Sequence, residues 1–398
     1  MSVMETIITN ILNKIDGLSR IRKNFLIHIF VLFLSIRGRL NFMNMSRIGK
    51  YCEKSCRTHF EQSFDFFAFN SLLTDECCSG HRIISGDCTF IIKSGKRTPH
   101  IGKFWNGCTS KAEKGLEISS LAVVDVERNT AMHLECLQTP AVLKDGETRT
   151  DFYLRQITEK KDQLRRISGY AVFDGAYAKV KFTDGIVNQT DLHLISKLRR
   201  DADLRYLYTG PRKPGKGRPK TFDGKVDCEN IDRSRFVLCY EDDETAVHTA
   251  VVNSRTLKRN IRAAYVENRT TGGYVILFST DTEIDGYLIY RYYKARFQIE
   301  FLFRDAKQHT GLAHCQARSE KKLYFHFNAS LTAVSIAKAA CLIKDGGPEN
   351  RFSMNNVKTL CFNELFLKRF FEKSGIDRTS KKISRAYSEL LNFGKIAV

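Results

Sequence analysis

Proline, tryptophan and long apolar runs are all scarce in this chain, and each scarcity excludes something. Only 6 prolines occur among 398 residues and no tract is of low complexity, so long flexible linkers are not expected. The 12 cysteines form no C-x-x-C pair and no paired spacing of the metal-binding type. The nearest grouping, Cys52, Cys56 and His59, is half of a four-ligand zinc site without its other half. Free thiols in a reducing cytoplasm account for these cysteines better. The apolar run Phe25 to Ile36 is twelve residues long and contains His28, short of the roughly 20 that a spanning helix needs. Arg37, Gly38 and Arg39 follow it where a signal sequence would place small residues for cleavage. A buried helix is the expectation, with no membrane partner. The single tryptophan, Trp105, falls in a β-like region and reads as core.

The rest of the composition is that of a folded chain: 42% hydrophobic and 27% charged residues exclude disorder and collagen-like repeats. A length prior of roughly 150 residues per domain suggests two or three domains. Lys and Arg number 64 against 44 Asp and Glu, a net charge of +20. A pI near 9.4 points to a polyanionic partner, nucleic acid first and anionic membrane second.

Residues 1–75 read as helical, and Leu40 to Phe64 places two amphipathic stretches either side of Gly49, with Asn44 or Ser46 as caps. That pattern fits a helix-turn-helix and equally any small helical bundle. From His81 the texture turns to short runs rich in β-branched residues: HRIISGDCTFII, ISSLAVVDV and TAMHLECLQT. Asp151 to Arg166 reads as a helix, and SGYAVFDGAYA as a buried strand ending at Asp174, which together suggest an α/β layer architecture. A basic tract from Leu194 to Lys220 carries nine Lys or Arg, two Asp and three of the six prolines, Pro211, Pro214 and Pro219. Strand-like runs follow it as a β-rich insertion. Helical signals return over Glu283 to Thr310, Glu320 to Lys344 and Asn355 to Lys373.

The first of these C-terminal helices carries Tyr293, Arg296, Glu300 and Lys307, at steps of 3, 4 and 7. On a regular helix they fall within about 60° of arc, with Phe297, Phe301 and Leu302 off the stripe as core anchors. Such a stripe is either a solvated face with an i, i+4 ion pair or a carboxylate presented to a metal between phosphate-holding cations and a phenol. Asp87 stands within a β-branched strand, and Asp174 ends an apolar strand before glycine. Either is also an ordinary turn or edge residue, but strand ends are where α/β sheets place functional groups. Two aspartates from neighbouring strands and a helical glutamate would make a hard oxygen site suited to two Mg²⁺ ions in phosphoryl transfer.

The stretch YYKARFQIEFLFRDAK fits Y-x2-R-x3-E-x6-K without a gap, D-x-T occurs at Asp87 and Thr89, and DGAYAK runs from Asp174 to Lys179. In these motifs, and in their order over roughly residues 20–345, the chain resembles the DDE transposases of the insertion-sequence-4 family. The resemblance implies an α/β fold: a ribonuclease-H-like catalytic core with a β-rich insertion, plus helical N- and C-terminal parts. The corresponding divisions are 1–75 for a helical DNA-binding region, 76–193 and 283–345 for the two parts of the catalytic domain, 194–282 for the insertion and 346–398 for a C-terminal helical region.

It further implies that Asp87, Asp174 and Glu300 are catalytic and bind two Mg²⁺, with Mn²⁺ able to substitute. Tyr293, Arg296 and Lys307 would contact the DNA backbone, Arg296 in bidentate fashion. Tyr274 stands where relatives hold a flipped base on an aromatic, and plain strand packing is its other reading. Arg199, Arg200, Lys216 and Arg218 are further DNA candidates in the basic tract, Lys216 to Pro219 as a minor-groove hook or a solvated turn. His309, His314 and His326 lack a carboxylate at metal spacing and read as packing or phosphate contacts. The implied partners are double-stranded DNA, as terminal inverted repeats and target, and a second copy in a synaptic homodimer. The implied location is a prokaryotic cytoplasm, at the nucleoid. The competing class is a catalytically inactive DNA-binding or inhibitory protein that keeps the fold.

Overall fold

The computed structural model describes residues 2–212, 217–345, 352–377 and 380–396. It opens with five helices, α1 (Val3–Asn13), α2 (Arg20–Ser35), α3 (Phe42–Ile48), α4 (Glu53–Glu61) and α5 (Phe66–Cys77). Local chemistry sets their starts. Ser2 and Glu5 form a reciprocal capping box, and the Ser19 hydroxyl accepts from the Arg22 amide. The cap between the two amphipathic stretches is Asn41, whose side chain accepts from the Asn44 amide at 2.9 Å, rather than Asn44 or Ser46. The apolar run is indeed a buried helix: Phe25, Leu26, Ile29, Phe30 and Phe33 of α2 are all 0% exposed. Arg22 on the same helix donates to the carbonyls of His59 (2.8 Å) and Gln62 (3.2 Å), which fixes α2 against the end of α4.

The middle of the chain alternates. It supplies β1 (Arg82–Ile92), β2 (Gly102–Asn106), β3 (Lys111–Asp125), β4 (Thr130–Gln138), α6 (Arg149–Thr158), α7 (Lys161–Ile167), β5 (Tyr170–Val172), a 3-10 turn at Gly175–Tyr177, α8 (Val180–Thr190) and β6 (His193–Leu198). The helix expected over Asp151 to Arg166 is thus two, separated at Glu159 and Lys160. Six more strands follow: β7 (Leu204–Leu207), β8 (Phe222–Lys225), β9 (Val237–Glu241), β10 (Thr245–Ser254), β11 (Arg259–Asn268) and β12 (Tyr274–Ser279). The chain closes with α9 (Gly286–Arg296), α10 (Gln298–His309), α11 (Glu320–Asp345), α12 (Met354–Ser374) and α13 (Lys381–Leu391).

The described strands join one 12-stranded sheet in the order β2-β3-β1-β5-β6-β12-β11-β10-β7-β8, with β4 also on β3 and β9 also on β10. β5 runs parallel to β1, β6 parallel to β5, and β3 antiparallel to β1. The strands of 194–282 extend this same sheet, because β12 pairs with β6 from Ile276↔Leu198 to Ser279↔Ile195. β6 itself runs across position 194 and is the second parallel neighbour of the central strands.

Helices cover both faces, and neighbouring serines of β3 show the two sides. Ser119 donates to Gln156 of α6 at 2.8 Å, whereas Ser120 meets His133, which reaches Asn328 of α11 at 3.0 Å. Two apolar cores result, one shared by α1–α5 and α9–α12, the other by α6–α8 and the insertion strands. The segment Glu320–Ile343 of α11 is long and apolar enough to cross a membrane, and 83% of it lies buried inside the fold. Residues distant in sequence close the first core: Lys358 donates to the Phe33 carbonyl at 2.7 Å and Arg37 to the Thr359 hydroxyl at 2.9 Å.

Two expectations about burial fail. Trp105 is 60% exposed, because β2 is an edge strand with only one covered face, and Phe104 takes the buried side at 1%. Phe297 is 46% exposed, because it sits in the break between α9 and α10 instead of on a continuous helix.

Candidate active site

The parallel register of β1 and β5 runs Ile84↔Ala171 and Ser85↔Val172, and carried forward it sets Asp87 level with Asp174. Gly86 permits that approach, since a Cβ there would run into the Phe173 ring and lie 3.2 Å from Leu121 Cδ2. β5 ends at this point because Asp174 caps the 3-10 turn, its carboxylate accepting from the Ala176 amide. Ser196 of β6 holds the Asp174 carbonyl at 2.8 Å.

Glu300 arrives from the helical side. The chain turns tightly at Phe297, whose amide donates to Lys294 O at 3.3 Å and whose carbonyl accepts from the Glu300 amide at 3.0 Å. This places Arg296 at the end of α9 and Glu300 in the first turn of α10. The Arg296 guanidinium then joins the two elements: Nη1 lies 3.8 Å from Asp87 Oδ2 and Nη2 lies 3.4 Å from Glu300 Oε1. Arg296 is buried, and its Nε and Nη1 have no hydrogen-bond partner. Its charge sits 5.4 Å from the Tyr293 ring centroid.

The electrostatics agree with this convergence. Burial raises the Asp87 carboxyl from 3.8 to about 6; the Cys88 amide and Arg296 oppose the rise, and the charges of Asp174 and Glu300 add to it. Tyr293 is also raised, first by burial, with Arg296 opposing and Asp174 and Glu300 adding. Among the described residues no group of three or more His, Cys, Asp or Glu side chains stands at metal-holding separation. The guanidinium of Arg296 bridges Asp87 and Glu300 in place of such a cluster.

The remaining candidates divide. Register sets Lys197 level with Asp174, and Arg199 and Arg200 follow it at the same sheet end. Arg199 is exposed and pairs with Asp201 at 3.0 Å. Arg200 lies 5.2 Å from the ring of Tyr274, which stacks on Tyr265 at 4.8 Å. Arg218 is exposed between β7 and β8, and Lys216 lies outside the described residues. Lys307 is half-buried two turns beyond Glu300 on α10, and burial lowers its ammonium from the ordinary lysine value.

His314 accepts from the Leu40 amide (3.1 Å) and His326 pairs with the Gly311 carbonyl (2.8 Å), so both are packing groups. Cys52 is exposed, Cys56 is buried and His59 stacks on Phe25 at 4.0 Å, so these three make no zinc site. Sequence reasoning passed over Tyr177, whose hydroxyl lies 3.3 Å from Cys88 Sγ and which feels the Asp87 charge; its one signal was its place in DGAYAK.

The mixed α/β sheet thus sets Asp87 and Asp174 level at adjacent strands, with Glu300 on a covering helix. Residues 102–336 match the family described as Transposase DDE domain, and the chain belongs to that family. Asp174 and Glu300 lie within the match and Asp87 precedes it. No curated protein matches the chain. Membership points to transposase activity, on DNA, by a DNA-processing enzyme.

Proposed function

We propose that this chain is a transposase of the insertion-sequence-4 type, which cuts DNA at transposon ends and transfers the freed strand to a target in a cut-and-paste reaction. The observation that carries this reading is that Asp87 and Glu300 share the Arg296 guanidinium, with Asp174 level with Asp87 on the next strand, from elements remote in sequence. The strand order β4-β3-β1-β5-β6, with β5 and β6 parallel to β1, supports a ribonuclease-H-like core at 76–193 and 283–345, flanked by a DNA-binding region at 1–75, the insertion at 194–282 and a C-terminal region at 346–398.

The donor set fits Mg²⁺ in its chemistry: all three groups are hard oxygen ligands, and the Asp87 carboxyl, raised by burial with Asp174 and Glu300 adding, is one whose charge a divalent cation would stabilise. Asp87, Asp174 and Glu300 would hold two ions. When bound, these supply activation of the attacking oxygen and neutralisation of the leaving one, and Mn²⁺ would serve as well. Arg296 has two buried donor nitrogens without partners, a capacity suited to a phosphate oxygen. Tyr293 shields and orients that guanidinium from the side. Arg199, Arg200 and Arg218 would track the DNA backbone, with Tyr274 beside them and Lys307 further along α10. The synaptic species would be a homodimer on two inverted repeats.

Glu300→Gln tests the assignment. Cleavage of a transposon-end duplex in Mg²⁺ should fall by orders of magnitude while duplex binding, measured by fluorescence anisotropy, holds or improves. Arg296→Ala should weaken both binding and strand transfer and leave residual cleavage. If Glu300→Gln abolishes binding and spares cleavage, Glu300 is only a structural partner of Arg296 and the proposal fails.

A further inference from the structure

The hairpin of β2 and β3 extends past the end of β1 and presents one unused face. On that face Trp105 stands opposite Ala112, and Lys103 stands opposite Lys114. All four side chains are exposed, Trp105 by 60%. The opposite face is finished: Phe104 is buried beneath the Arg149 guanidinium, 4.7 Å from its ring centroid. The open face is also unbalanced. Like charges directly opposite in an antiparallel ladder repel, and among the described residues neither Lys103 nor Lys114 has an acidic partner, whereas Lys111 pairs with Glu113 at 3.4 Å. Alanine opposite tryptophan leaves the indole plane uncovered, and among the described residues no aromatic ring stacks on it.

The register relates this face to the carboxylates. Asp87 is opposite Ser120 and Trp105 is opposite Ala112, both without a shift in register, and an even number of residues separates Ala112 from Ser120. Trp105, Lys103 and Lys114 therefore share the sheet face of Asp87, about 26 Å along the strand direction at about 3.3 Å per residue. That is the reach of about eight stacked nucleotides. A planar ring flanked by paired cations is the composition of a single-strand platform, in which a base stacks on the ring while ammonium groups hold the phosphates. We propose that the exposed face of the β2–β3 hairpin binds an unpaired segment of the DNA substrate, with a base stacked on Trp105 and phosphates held by Lys103 and Lys114. The proposal rests on the reading of the chain as a DNA-processing enzyme and adds a contact outside the carboxylate site.

Trp105 is the only tryptophan, so emission excited at the red edge, where tyrosine does not absorb, reports on this residue alone. Titration with an oligothymidylate of about 15 nucleotides, without divalent cation, should quench that emission, and a blunt duplex should quench it far less. Trp105→Ala should weaken binding of a labelled oligothymidylate about five-fold or more, with Trp105→Phe restoring part of the loss. Replacing Lys103 and Lys114 together with alanine should lower the slope of log affinity against log salt by about 1.4.

Emission that stays unchanged while the labelled oligonucleotide binds would overturn the proposal, as would equal quenching by blunt duplex or failure of the wild-type chain to bind the oligonucleotide. Cleavage of a transposon-end duplex by the wild-type chain in Mg²⁺ is read separately. Intact cleavage beside a silent Trp105 defeats this inference alone, and absent cleavage defeats the transposase reading whatever Trp105 does.

Discussion

Asp87 bears the main conflict in the site, since burial and two neighbouring carboxylates oppose the charge that Arg296 only partly offsets. Its folded value of about 6 stands above the unfolded 3.8, so between these values the folded chain holds a proton that the unfolded chain has released. Stability therefore falls as pH rises through that window, and above it the whole deficit is present. Asp87→Asn removes the deficit. Urea unfolding should show the variant more stable than the parent by up to about 3 kcal/mol at neutral pH, with the gain vanishing below the unfolded carboxylate pKa. Mg²⁺ should raise the midpoint of the parent and leave the variant unmoved, because a ligand stabilises only the fold that binds it.

At the scale of elements, β1 and β5 depend on Gly86. A methyl group there meets the Phe173 ring and forces the two strands apart. Gly86→Ala should cost about 1–3 kcal/mol in urea unfolding, and cleavage should drop further than stability alone explains, because Asp87 and Asp174 lose their common level. How far such relations can be read from sequence depends on their range. Asp174 was legible, since an apolar strand ending in Asp-Gly is a local signal. The pairing of Asp87 with Asp174 was expected from the motif resemblance, but the register that sets them level, between strands more than eighty residues apart, is a property of the assembled sheet. The Tyr293-to-Lys307 stripe was legible as a helix but not its interruption, since Phe297 keeps right-handed helical angles (φ −56, ψ −19) and no proline or glycine marks the turn. The break separates Tyr293 and Arg296 from Glu300 and Lys307, which keep their helical spacing within α10. Trp105 was misread for a related reason: alternation shows that Phe104 and Trp105 face opposite ways, but only the helix bearing Arg149 decides which side is covered.

For the whole molecule, a net charge of +20 makes binding to DNA a counterion-release equilibrium. With six or more phosphates neutralised, affinity for a transposon-end duplex should fall by orders of magnitude between about 50 and 200 mM salt, as anisotropy over a salt series would record. A flat series would remove the case for a continuous DNA track. The closure of the first core carries a different consequence, for biogenesis. All three carboxylates have been synthesised once residue 300 is added, yet α2 packs against α11 and α12, and Phe33 and Arg37 find partners at Lys358 and Thr359. At about 5–20 residues per second, the ribosome takes on the order of half a minute to deliver those partners after α2 has been made. Throughout that interval the nascent chain exposes one of its most apolar helices and is a client for chaperones. A message truncated soon after codon 300, before α11 and α12, would encode all three candidate carboxylates and still yield a chain without its seat for α2, destined for proteolysis and not for recombination.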